Sequence, residues 1–208
     1  VLPKPHDWGD HLHVTGYWFL EPKLDYKPAQ KLVDFIGAGS PPVYVGFGSM
    51  SNKNAERDAE IVLSALRQAG VRGIMASGWH GLKTDNTSDD ILVIDGAPHD
   101  WLFPQMAAVV HHGGAGTTAA GLKSGVPSII VPTRGDQPFW ARRVEELGVG
   151  LFPCNRRKLN VEDLAAAIQQ AVDDDGMHKK AKALSATIHH ENGIQNAVSV
   201  IEQVLTRA

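Results

Sequence analysis

The densest chemistry in the chain lies in ten consecutive residues, Val110-His111-His112-Gly113-Gly114-Ala115-Gly116-Thr117-Thr118-Ala119. An apolar run, Ala107 to Val110, precedes them and an Ala/Leu-rich stretch, Ala119 to Lys123, follows. A strand that ends in a Gly-rich turn and opens a helix builds an anion site. Bare backbone N–H groups and the positive end of the helix dipole converge on one point. Glycines let that backbone approach an anion with no Cβ in the way. The two histidines add donors. Phosphate is the expected ligand, carried by a nucleotide. His111 and His112 are adjacent at a strand end, so their side chains point to opposite sides. One faces the ligand and the other the interior. The residues leave open which of the two takes which side.

A second polar cluster is Asp136-Gln137, between a strand and a helix. A carboxylate and an amide suit vicinal hydroxyls of a sugar, and Asp136 also fits as the cap of the helix that follows. Trp101 offers an aromatic wall for a base, or a core ring. Gly114-Ala115-Gly116-Thr117-Thr118-Ala119 also fits the dinucleotide fingerprint. That motif belongs directly after the first strand of its unit, whereas two histidines and about three strands come before it here. Asp173-Asp174-Asp175 ends an Ala-rich helix and reads as a solvated, helix-breaking run rather than a metal motif.

These residues need elements to hold them. Six short apolar runs read as strands: Val43 to Phe47, Gly73 to Ser77, Ile91 to Ile94, Ala107 to Val110, Ser128 to Val131 and Val149 to Phe152. Helical spacing occupies most gaps, over Ala55 to Ala69, Thr117 to Ser124, Pro138 to Leu147 and Val161 to Val172. Two more helices, broken near Asn192-Gly193, fill the tail from Gly176 to Arg207. Such alternation with wholly apolar strands predicts an α/β, Rossmann-like open parallel sheet with helices on both faces. In open parallel sheets, ligands bind beyond the carboxyl ends of the strands. Gly48-Ser49, Gly78-Trp79, Asp95-Gly96, His111 to Gly116 and Pro132 to Asp136 all fall on that edge.

Composition sets the frame. The 208 residues carry a formal charge of −3, which excludes the basic excess of a nucleic-acid binder. Cys154 is the only cysteine, so neither an internal disulfide nor a cysteine-based zinc site is available. No apolar run reaches transmembrane length and no signal segment is evident. The expected location is the cytoplasm. The first forty residues, rich in proline, read as an irregular packing segment (1–40), followed by a ligand-binding domain over 41–208. Val1 in place of a methionine reads as the start of a fragment.

Five segments together resemble a known family. Gly46-Phe47-Gly48-Ser49, Ser77-Gly78-Trp79, His99 to Pro104, His111 to Thr118 and Gly135-Asp136-Gln137-Pro138-Phe139-Trp140 are similar to the donor half of GT-B glycosyltransferases. The likeness is to the family-1 type that includes sterol glucosyltransferases and antibiotic glycosyltransferases. It implies a C-terminal donor-binding domain for a UDP-sugar or TDP-sugar, with UDP-glucose the common donor. By matching motifs, Ser49, His111, Gly114, Ala115, Gly116 and Thr117 meet the phosphates. Trp101 and Leu102 flank the base, Trp79 joins the donor site, and Asp136 and Gln137 hold sugar hydroxyls. No metal and no further cofactor is implied. The general base and the acceptor belong to an N-terminal acceptor-binding domain that this chain lacks, so no catalytic residue is assigned within it. The implied reaction is inverting transfer to a lipophilic or small-molecule hydroxyl, and the isolated chain binds donor without turnover. Ala119 stands where plant-type members place a ribose-binding glutamate, and Arg134 where sterol-type members tend to carry an aromatic residue. Alternative readings are a UDP-sugar-binding module and a UDP-sugar epimerase on the same scaffold.

Overall fold

The structure is a computed structural model that describes residues 1–20, 25–48, 55–76 and 88–207. Strands β1 (Val43–Gly46), β2 (Gly73–Ala76), β3 (Ile91–Ile94), β4 (Ala108–His111), β5 (Ser128–Ile130) and β6 (Gly150–Leu151) form one sheet. Their order is β3-β2-β1-β4-β5-β6 and every pairing is parallel. This doubly wound order reverses direction between β1 and β4, the point at which open parallel sheets form a crevice beyond the carboxyl ends of their strands. Gly46 pairs with His111 in that central ladder.

Side chains alternate between the two faces of the strands, as the pleat requires. Val43, Val45, Ala108, Val110 and Ile129 face α2 (Ala55–Gln68) and α6 (Val161–Asp173). Tyr44, Ile74, Leu92 and Val109 face the other way, onto α1 (Gln30–Gly37) and α3 (His99–Leu102). Ile130 packs with α4 (Ala115–Ser124), α5 (Gln137–Glu146) and α7 (Asp175–His190). Leu66, Ile74, Ile129 and Ile168 have no exposed surface. Full burial of each such side chain is worth about 1.5–3 kcal/mol.

The predicted strands and helices are present with ends shifted by a residue or two. α4 begins at Ala115 rather than Thr117, because Gly114 is the residue with extended backbone that precedes the helix. Asn160 caps α6, accepting from the Asp163 N–H at 2.8 Å. The triple-aspartate run ends α6 at Asp173, as expected, and Asp174 also caps α7 through the Met177 N–H. The last helix, α8 (Gly193–Arg207), follows the break at Asn192.

The first forty residues are not wholly irregular. α1 lies among them, burying Leu32 against the sheet. Its eight residues follow Ala29, which makes no side-chain cap, so the sequence carries no start signal there. The preceding segment is strapped over the helices. Arg143 donates to the Val1 carbonyl, Glu191 accepts from the Tyr17 N–H, and Lys123 lies 4.2 Å from the Phe19 ring centroid. Among the described residues, no helix is long and apolar enough to cross a membrane.

Candidate functional site

β4 delivers His111 to the crevice, and the chain then turns sharply at Gly113 (φ +86°) to enter α4. A Cβ at Gly113 would lie 2.6 Å from Ile130 Cγ2 and 3.2 Å from the Gln137 carbonyl oxygen. Both the dihedral and the space therefore require glycine there. Gly114 precedes α4 without offering a side-chain cap, and the first turn of α4 has no acidic residue. The first intrahelical bond among these residues runs from Thr118 N–H to the Gly114 carbonyl. The N–H groups of Ala115, Gly116 and Thr117 thus lack helical acceptors. Ala115 and Gly116 are exposed and Thr117 is half-buried. A helix start with bare amides and no neutralising carboxylate is an anion site in waiting.

The two histidines diverge as adjacent strand residues must. They differ in burial: His111, which the resemblance assigns to the diphosphate, is enclosed, and His112 is half-buried. His111 shares the face of Val109, and its ring is wholly buried. Its Nδ1 accepts from the Gly113 N–H at 3.1 Å, so the neutral ring carries its proton on Nε2. Burial, then His112 and His99, push its pKa down to about 3. His111 Nε2, Thr118 Oγ1 and Ser128 Oγ are buried without a hydrogen-bond partner among the described residues. His112 shares the face of Val110 and stands at the crevice between β1 and α4. Its Cε1 lies 3.2 Å from where a Gly48 Cβ would be, and its Nε2 lies 2.6 Å from the corresponding point at Gly114. Burial and the nearby Arg156 hold its pKa below the ordinary imidazole value, with Asp136 opposing. Neither placement is itself a contact with a phosphate.

The other predicted residues divide. Asp136 is exposed at the mouth, and its Oδ2 accepts from Trp140 Nε1 at 2.9 Å. Gln137 is buried, and its Oε1 accepts from the N–H groups of Thr133 (2.8 Å) and Arg134 (3.2 Å). Its amide therefore shapes the loop before α5. Trp101 is half-buried, with its ring centroid 5.4 Å from that of Tyr26 in an edge-on arrangement. Leu102 is entirely within the core. Ser49 and Trp79 lie outside the described residues. His99, the first residue of α3, stacks on Phe103 with ring centroids 4.2 Å apart. Burial lowers its pKa, His112 lowers it further, and His111 in turn feels its charge.

One residue that sequence reasoning passed over joins these parts. Arg156 sits in a short helical turn after β6, in an Arg-Arg-Lys run that reads as solvated surface. Instead it is buried. Its Nε donates to Asp58 of α2 at 2.8 Å, and its guanidinium lies 4.6 Å from the Phe47 ring centroid. A separation of 98 residues hides this pair from any local pattern. Among the described residues, no group of three or more His, Cys, Asp or Glu side chains is placed to hold a metal ion.

Comparisons with known proteins agree with this architecture. The chain is 42% identical over 209 residues to a sterol 3-beta-glucosyltransferase of Arabidopsis thaliana, covering all of this chain and 33% of that protein. It is 40% identical over 220 residues to a sterol 3-beta-glucosyltransferase of Leptosphaeria maculans, covering 15% of that protein. The chain thus spans a third or less of these relatives. Among solved structures, the glycotransferase of kitacinnamycin superposes with a TM-score of 0.71 at 22% identity, over 90% of this chain and 47% of that one. A UDP-glucose:anthocyanidin 3-O-glucosyltransferase in complex with UDP superposes with a TM-score of 0.72 at 17% identity, over 86% of this chain and 45% of that one. The family described as erythromycin biosynthesis protein CIII-like, C-terminal domain, matches residues 50–203. The chain belongs to that family, as the C-terminal domain of a family-1 type GT-B glycosyltransferase.

Proposed function

We propose that this chain binds a UDP-sugar, with UDP-glucose the donor, as the donor half of an inverting glycosyltransferase. The observation that carries the reading is the uncapped start of α4, which opens with no carboxylate of its own into the crevice between β1 and β4. The diphosphate sits on the N–H groups of Ala115, Gly116 and Thr117. His112 is the imidazole placed to donate to it, while His111, through the Gly113 N–H, fixes the turn that aims those groups. Trp101 borders the base and Asp136 takes sugar hydroxyls at the exposed mouth. In the complete protein, an acceptor hydroxyl attacks the anomeric carbon as the bond to the UDP oxygen breaks. The hydroxyl proton passes to a base in the N-terminal acceptor-binding domain. The charge that develops on the leaving diphosphate is met by backbone amides and the helix dipole, with no metal in the reading. The acceptor is a sterol or another lipophilic hydroxyl, as the names of the relatives suggest. Turnover takes place in the cytoplasm, at a membrane surface where that acceptor is a lipid. The isolated chain binds donor and does not transfer, because the attacking group needs a base and a fixed position.

Calorimetry with UDP, TDP and NAD, with and without EDTA, tests this. The expected result is UDP binding that EDTA leaves unchanged, and little or no NAD binding. Tighter binding of NAD than of UDP, or loss of UDP binding in EDTA, overturns it.

A further inference from the structure

A single side chain reaches across the crevice floor from the far edge of the sheet. After β6 the chain returns over β5, where Arg156 N–H donates to the Pro132 carbonyl at 2.9 Å. The Arg156 side chain then extends to the residues that leave β1 and open α2. Its guanidinium covers Phe47, which follows β1, and its Nε binds Asp58 in the first turn of α2. The neighbouring Arg57 donates to the Leu159 carbonyl at 3.0 Å, a second tie between the same two segments. Asp58 is 2% exposed and Arg156 8% exposed, so this is a buried ion pair. Removing one partner of such a pair strands a charge, and a guanidinium that is both stacked and hydrogen-bonded has no close substitute.

We propose that Arg156 is a positioning residue of the phosphate crevice, a buried cation held by Asp58 and Phe47 that fixes the exit of β1 and the start of α2 beside His112. The proposal rests on the nucleotide reading above for its effect on binding. Its effect on His112 rests on the placement of Arg156 over Phe47, next to Gly48, whose Cβ position lies 3.2 Å from His112 Cε1, together with the field of the cation. The groups that face His112 are Arg156 from the turn after β6, Asp136 from the start of α5, His99 from α3 and His111 beside it. Of these, Arg156 and Asp136 act in opposite directions. The Arg156 cation keeps the imidazole from taking a proton, and Asp136 favours the proton. Loss of the cation therefore moves the titration of His112 upward, toward the ordinary imidazole range.

The test compares the whole chain with Arg156→Gln and Arg156→Lys. It follows three quantities: the His112 imidazole titration by NMR without ligand, UDP affinity by calorimetry, and thermal melting. In Arg156→Gln the His112 midpoint is expected to rise and UDP affinity to fall about tenfold or more. Arg156→Lys keeps the charge, so the midpoint stays close to that of the parent. Affinity still falls, because an ammonium cannot both bind Asp58 in the same way and lie flat on Phe47. An unmoved His112 midpoint in a folded Arg156→Gln, or parental UDP affinity in either variant, overturns the proposal. If Arg156→Gln does not fold, Arg156→Lys alone decides by its affinity. If the parent chain itself binds no UDP, the nucleotide reading fails, and the ligand-free titration still decides whether Arg156 governs His112.

Discussion

The starts of α4 and α6 are built on opposite plans. α6 opens on Asn160, whose side chain caps the Asp163 N–H, and Glu162 and Asp163 complement the dipole in its first turn. α4 opens on Gly114, with no cap and no acid. A side-chain cap contributes about 1 kcal/mol and a first-turn acid about 0.3–1 kcal/mol. α4 forgoes both. The two helices flank the same sheet, so the difference is not one of fold. It lies in how each start is finished: α6 satisfies its first amides with its own residues, whereas α4 supplies neither cap nor acid, as the proposed donor site requires.

Breaking the turn that aims α4 has the largest expected effect. Gly113→Ala forces a non-glycine residue to φ +86° and pushes a methyl against Ile130 and the Gln137 carbonyl. A residue in this left-handed region costs roughly 1–2 kcal/mol before any clash is counted. UDP binding by calorimetry should fall by about a hundredfold or more, with a melting temperature lowered by several degrees, as about 1–2 kcal/mol implies for a chain of this size. Full UDP affinity in this variant would show that the turn does not aim the site.

Making α4 resemble α6 sharpens the contrast. Ala115 is exposed at the first position of α4. Ala115→Glu should raise stability by about 0.3–1 kcal/mol through the dipole, and lower UDP affinity about tenfold or more by placing a carboxylate where the proposed site would hold phosphate. The signs are opposite, so a general loss of structure cannot imitate the result. Equal loss of stability and affinity would contradict the anion-site reading.

Making α6 resemble α4 has the smallest effect. Asn160→Ala removes the cap and should cost about 1 kcal/mol in denaturant unfolding. UDP affinity should not change, because that helix start holds nothing but itself. A fall in affinity comparable to that of Ala115→Glu would erase the distinction between the two helices.

Much of this contrast is legible in the sequence. Asn160 with two acids after it announces a capped helix, and Gly113 to Gly116 announce a bare one. The alternation of apolar runs and helical spacing is enough to expect the parallel sheet, because strands buried on both faces read as unbroken apolar stretches. The allocation of His111 and His112 is not legible. A period of two places neighbours on opposite faces but does not say which face opens to the crevice. That depends on Phe47, Gly48 and Arg156, which come from other parts of the chain. Gln137 hides its task in a similar way: an amide before a helix reads as a ligand donor, yet its oxygen turns back to two backbone N–H groups of its own loop. Arg156 is the least visible, since its partner Asp58 is known only once the sheet order brings α2 beside the turn after β6.

The sheet order has a mechanical consequence. Among the described residues, the ladder between β1 and β4 is the one strand pairing that joins β3-β2-β1 to β4-β5-β6. The crevice lies across that seam, with Gly48 on one side and His112 and Gly114 on the other. The bond from Arg156 to Asp58 crosses it as well. A nucleotide bound there, as proposed, would be a crossbeam between two halves built from separate stretches of chain. At a hundred times its dissociation constant it would add about 2.7 kcal/mol against any opening that parts the halves. Amide exchange along the β1–β4 ladder would then slow in proportion, and the seam would become the best-guarded part of the molecule when the site is filled.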